Sequence, residues 1–196
     1  MRTTFAAALL TASVLAAPAF AQTTIIPMPP APQPTAKGPP MATGIPATPL
    51  TNADARFVRE TLEANLAEIK IAQLALTHSQ DKNVQDFAQK MYSDHTAANE
   101  TLMQIASRHN IAMPTVLTAR DQAVLDRLSQ LNGLAFDHAY IDTMMRAHNA
   151  MLAAFNHQLH AGHDAVINVW VQNARPVVIQ HEQLAQEINN VLPRAG

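Results

Sequence analysis

Cysteine is absent from the 196-residue chain. That excludes disulfides, thiolate metal ligands and a cysteine nucleophile. Glycine is scarce, at five residues. No glycine-rich phosphate loop, Gly-x-Ser-x-Gly elbow or His-Glu-x-x-His pair occurs. A strong charge of one sign is also missing: the formal net charge is −2, which argues against a dedicated nucleic-acid surface. Beyond the first 21 residues no apolar run is long enough to span a bilayer. What remains is rich in Ala, Leu, Val, Ile and Met, with hydrophobic residues at 48%. That is a helical composition with enough apolar side chains for a core.

Residues 1–21 carry Arg2, an apolar stretch from Phe5 to Ala17, and Ala19-Phe20-Ala21. This order matches a secretory signal peptide cut after Ala21, and it predicts a periplasmic or secreted protein. No cysteine follows the cut, so a lipid anchor there is excluded. Residues 22–50 hold nine of the thirteen prolines. Proline removes backbone donors and favours extended chain, so this stretch reads as a disordered linker. The folded unit is expected over residues 51–196.

Within that unit the apolar residues recur every three or four positions, which puts them on one face of a helix. The pattern predicts long helices from about Thr51 to His78, Asp81 to His109, Leu134 to His160, and Asp164 to Pro193. A short helix is expected from Asp121 to Ser129, with Thr118 before it. Pro176 falls inside the last helix and is expected to kink or loosen it. The first and last pairs of long helices are joined by short turns, so each pair is antiparallel. The middle connection, about Asn110 to Asn132, is long enough to cross the bundle. The expected fold is all-α, a ferritin-like four-helix bundle with a long crossover between its second and third long helices.

Four polar residues interrupt the apolar seams. His95 lies between Met91 and Ala98, and His148 between Met144 and Leu152. His181 lies between Val177 and Leu184, and Glu68 falls among Ala64, Ile71, Ala72 and Ala75. At ~1.5 Å of rise per residue all four fall near mid-bundle if the second and third long helices are parallel. Three imidazoles and one carboxylate at one level suit a single Fe, Mn, Zn or Cu ion. A buried hydrogen-bonded network without an ion is the competing reading. Asp94 and Asp142 lie near this level but off the seam, which suits supporting or solvent-facing roles. His78 and His109 end helices; His157, His160 and His163 read as solvated; His138 borders a seam.

The segments AEIKIAQLA, FAQKMYSDHT, FDHAYIDTMMRAH and ARPVVIQHEQLA resemble the bacterial secreted family called domain of unknown function 4142. The resemblance covers about Asp54 to Asn190. It implies a ferritin-like fold, and the matching motif positions are Glu68, Asp94, His95, Phe136, Asp137, Tyr140, His148, Pro176 and His181. It implies no reaction. Ferritins carry Glu-x-x-His pairs, whereas Tyr92 and Val178 stand three residues before His95 and His181 here, so a di-iron centre is not expected. The functional expectation is a periplasmic metal-binding bundle with a redox or stress-protection role. The alternative is a non-catalytic envelope scaffold or adaptor. No nucleic-acid partner and no transmembrane segment after signal cleavage are expected, and association with the envelope is.

Overall fold

The computed structural model describes residues 49–194. The expected signal peptide, and all but the last two residues of the expected proline-rich linker, lie outside the described residues. Among the described residues there are five helices and no strand. They are α1 (Asn52–His78), α2 (Lys82–Arg108), α3 (Ala119–Ser129), α4 (Gly133–Ala161) and α5 (Ala165–Val191). None is long and apolar enough to cross a membrane.

Local chemistry sets most of the boundaries. Thr51, Asp81, Thr118 and Asp164 each accept hydrogen bonds from backbone N–H groups of the helix that follows. Helix α2 ends with Asn110 at φ 55°, the left-handed conformation that asparagine tolerates best after glycine. The Ile111 N–H then donates to the Ala106 carbonyl at 2.9 Å and the Asn110 N–H to Ser107 at 3.3 Å, which closes the helix end. Gly133 opens α4 at φ 54°, and here the missing Cβ matters.

Two apolar clusters define the topology. The first joins the end of α1 (Ile71, Ala72, Ala75), the start of α2 (Val84, Phe87, Met91), the start of α4 (Phe136, Tyr140, Ile141) and the end of α5 (Leu184, Ile188). The second joins the start of α1 (Phe57, Val58, Leu62), the end of α2 (Leu102, Ile105), the end of α4 (Met151, Phe155) and the start of α5 (Ile167, Trp170, Val171). Helices α2 and α4 therefore run parallel, and each is antiparallel to α1 and α5. The crossover starts at the second cluster, where Ile111 and Met113 pack. It finishes at the first, where Val124, Leu125 and Leu128 pack. The ferritin-like connection expected from the length of this segment is present.

Helix α5 is continuous and keeps most of the inward positions expected of it. It runs through Pro176 without a break. The buried Val171, Val178 and His181 on either side hold the chain helical where proline removes one hydrogen bond. On its inward face Trp170, His181, Leu184 and Ile188 are buried as the spacing implied, and only some flanking positions settle one residue later. Ile167, Val178 and Leu192 are buried, whereas Val166 and Val191 are exposed.

Candidate metal centre

Between the two apolar clusters lies a thin polar layer. Glu68 comes from α1, His95 from α2, His148 from α4 and His181 from α5, and all four are buried. The four sequence candidates thus reach one level. The rings of His95, His148 and His181 form a triangle with centroid separations of 5.3–5.6 Å. One ring nitrogen from each histidine lies within 4.8 Å of the others, close enough to hold a metal ion.

The outer nitrogens explain how the rings are oriented. His148 Nδ1 donates to the Met144 carbonyl at 2.8 Å. His181 Nε2 donates to Asp94 Oδ2 at 2.9 Å. His95 Nδ1 donates to Asn65 Oδ1 at 3.0 Å. A carbonyl, a carboxylate and an amide oxygen can only accept, so each outer nitrogen carries the proton. The nitrogens left over are His148 Nε2, His181 Nδ1 and His95 Nε2. The first two lie 3.2 Å apart. The third is buried with no hydrogen-bond partner. This is how metal-binding imidazoles are held, one nitrogen hydrogen-bonded and the other presented.

Glu68 stands at the edge of the triangle. Its Oε2 lies 2.9 Å from His95 Nδ1 and its Oε1 4.0 Å from His148 Nδ1. Both are ring nitrogens on the outward side. Neither oxygen receives a well-aligned hydrogen bond, because the His95 N–H points to Asn65. At 2.9 Å the carboxylate lies against the N–H edge of the His95 ring, a charge–dipole contact. Burial works to raise the Glu68 carboxyl, but the charge and hydrogen-bonding capacity of His95, helped by His148 and His181, bring it down to about 2. Burial depresses His148 and takes His181 to about 4; for His181 the nearby histidines add to the effect and Asp94 opposes it.

Lys90, Asp94, Tyr140 and Asn65 complete the layer. Lys90 Nζ donates to the same Asp94 oxygen as His181, at 2.8 Å. Burial raises the Asp94 carboxyl, but hydrogen bonds from His181 and Lys90 prevail and lower it. Tyr140 is fully buried with an unpartnered hydroxyl, and burial together with the Glu68 charge raises its pKa. Asn65 and Lys90 escaped the sequence reading. Asn65 precedes Glu68 by one helical turn, and Lys90 precedes Asp94 by four residues, so both spacings were available as signals.

The remaining histidines lie elsewhere. His138 Nε2 donates to the Pro193 carbonyl at 2.7 Å, tying α4 to the chain beyond α5. His157, His160 and His163 are exposed. Asp142 pairs on the surface with Arg146 at 2.5 Å.

The family described as a domain of unknown function (DUF4142) matches residues 40–188. The chain belongs to this family. No curated protein matches. Among solved structures, the crystal structure of a DUF305 fragment from Deinococcus radiodurans superimposes with a TM-score of 0.66 at 14% identity. The match covers 73% of this DUF4142 chain and 99% of the fragment. At that identity the likeness establishes the helical fold and nothing about chemistry.

Proposed function

We propose that the protein is an exported helical bundle that holds one transition-metal ion among His95, His148 and His181. The observation that carries this reading is the meeting of three buried histidines, one ring nitrogen from each within 4.8 Å of the others, while a nitrogen of every ring is held by a fixed acceptor. Unprotonated imidazole nitrogens converging in a buried layer need a cation or a proton between them. Glu68 supplies the negative charge that a buried cation requires, through the His95 ring rather than as a ligand. The donor set suits Fe, Mn, Zn or Cu. Three histidines leave room in the coordination sphere for a small exogenous ligand, which suits a redox or stress-protection role.

Elemental analysis of protein purified without a histidine tag tests the site, together with thermal melts in chelator and in each of the four metals. A metal found in stoichiometric amount and a rise in melting temperature on loading are expected. Their joint absence would sink the proposal. The redox component requires an iron, manganese or copper site that changes oxidation state under an applied potential; a zinc-only site removes it.

A second reading has its own support. Lys90, Asp94, His181, His148 and the Met144 carbonyl form a continuous chain of polar contacts without an ion. A scaffold or adaptor whose polar layer specifies helix packing would show the same chain. Its melting temperature would not respond to metal. Export rests on the pattern in residues 1–21; mass spectrometry of the periplasmic fraction should find a protein beginning near Gln22. Intact chain starting at Met1 in the cytoplasm would refute it.

A further inference from the structure

The three rings are not held alike. His95 and His148 are bonded outward through Nδ1, whereas His181 is bonded outward through Nε2. We propose that Asp94, braced by Lys90, is the positioning residue that locks His181 in its Nε2–H tautomer, so that Nδ1 faces the cluster. The site is then a mixed donor set of two Nε2 atoms and one Nδ1.

Asp94 immediately precedes His95 on α2, so its side chain leaves the helix about 100° round from the inward seam. That direction carries it toward α5, where Oδ2 meets His181 Nε2 at 2.9 Å. A carboxylate has no proton to give, so a lone pair on Nε2 would face an oxygen lone pair at that distance. The tautomer with the proton on Nδ1 is thereby disfavoured. Lys90 fixes the carboxylate itself. Its side chain is 1% exposed, and its ammonium lies 2.8 Å from the same oxygen. An ammonium that buried needs its anion, so Lys90 keeps Asp94 from turning out to solvent. Asp94 keeps 22% of its side chain exposed, and without Lys90 it would have water as a competing partner. The positioning extends the metal-site proposal, but the tautomer exists with or without an ion, so the two are separable.

The test is the tautomer itself, read from long-range ¹H–¹⁵N spectra of imidazole-labelled, metal-free protein at pH 8. Wild type should show His181 as Nε2–H, with His95 and His148 as Nδ1–H. Asp94→Ala should release His181 into a mixture and weaken zinc binding by ~10–100-fold. Asp94→Asn keeps an acceptor oxygen and should restore both the tautomer and the affinity to within several-fold. Lys90→Met keeps the carboxylate but lets it turn partly to solvent, so His181 should stay mostly Nε2–H with a minor second tautomer, an effect smaller than that of Asp94→Ala. His181 found as Nδ1–H or as imidazolium in the wild type overturns the proposal. So does an unchanged His181 spectrum in Asp94→Ala. If Lys90→Met and Asp94→Asn scramble the ring as fully as Asp94→Ala, the effect is general loosening and the positioning role fails. A wild type that shows the expected tautomers but binds no metal upholds Asp94 as the positioning residue and rejects the metal site.

Discussion

His148 Nε2 faces His181 Nδ1 across 3.2 Å, and neither nitrogen has a hydrogen to offer the other while the outer nitrogens hold theirs. Two lone pairs at that distance repel. A cation between them turns the repulsion into coordination. Replacing His148 with leucine removes one lone pair and keeps most of the buried volume. Metal affinity should drop by orders of magnitude. The metal-free protein should stay within about 1 kcal/mol of wild type, because a polar group without a proper partner is replaced cleanly. Urea melts in chelator and zinc titrations measure the two effects. Loss of ~1–3 kcal/mol in chelator, with no metal response in the wild type, would instead mark a structural network.

Acid should weaken the metal-free protein in two successive windows. His181 has its folded pKa depressed to about 4 from an ordinary 6.5. The unfolded chain therefore binds the extra proton first, and stability falls as pH drops from about 6.5 to 4. The loss is on the order of 3 kcal/mol. Glu68, depressed to about 2, contributes stability that is present above its unfolded value and is lost as pH falls from about 4.5 toward 2. Chelator-treated protein unfolded by urea at pH 7.5, 5.5 and 4 should show the first window. His181→Asn should shrink it, leaving the part that buried His148 contributes.

Asp54 should matter to stability more than its place in the first turn of α1 suggests. Its Oδ1 accepts from Gln158 Nε2 at 2.7 Å and from the His163 N–H at 3.2 Å, clasping the start of α1 to the α4–α5 turn. Asp54→Ala leaves Gln158 Nε2 with only the longer contact to Asn168 Oδ1, at 3.3 Å, and should cost ~1–3 kcal/mol. Gly162→Ala should damage the same clasp. A Cβ there would come within 1.9 Å of Gln158 Nε2, although the backbone at φ −76° suits any residue. Thermal melts of both variants check this. A wild-type melting temperature in either removes the clasp from the account.

Pro176 sits mid-helix on an exposed position of α5 and supplies no backbone donor. Pro176→Ala should stabilise the bundle by ~1–3 kcal/mol, since the substitution restores a hydrogen bond and removes a ring clash. If metal affinity falls in the same variant, the proline is retained for the set of His181, five residues further on.

Much of the fold was legible because its signals are local. The hydroxyl and carboxylate caps at Thr51, Asp81, Thr118 and Asp164 mark helix starts, and each caps in the structure. The length of the segment after Asn110 carries the crossover. The inward polar residues were legible as breaks in apolar seams. Their partners were not. Which ring nitrogen of His181 meets Asp94, or that Asn65 stands beside His95, depends on the rotation of one helix against another. Spacing along a single helix does not contain that angle. The α5 seam shows the same limit: Val166 and Ile167 are both apolar neighbours, and only the packing of α5 decides that the second is buried.

The polar layer between the two apolar clusters draws side chains from all four long helices. Each hairpin, α1 with α2 and α4 with α5, is built from contacts close in sequence and can form early. Neither hairpin alone holds the three histidines, since His95 belongs to one and His148 and His181 to the other. The site therefore comes into being only when the hairpins dock. An ion that needs all three rings has little to grip in the transition state for docking, so it acts as a latch: it should slow unfolding in proportion to its concentration and leave the refolding rate nearly unchanged. Stopped-flow unfolding and refolding with and without metal would show one moving limb and one still one. Both limbs moving together would mean that the histidines meet before the hairpins have closed.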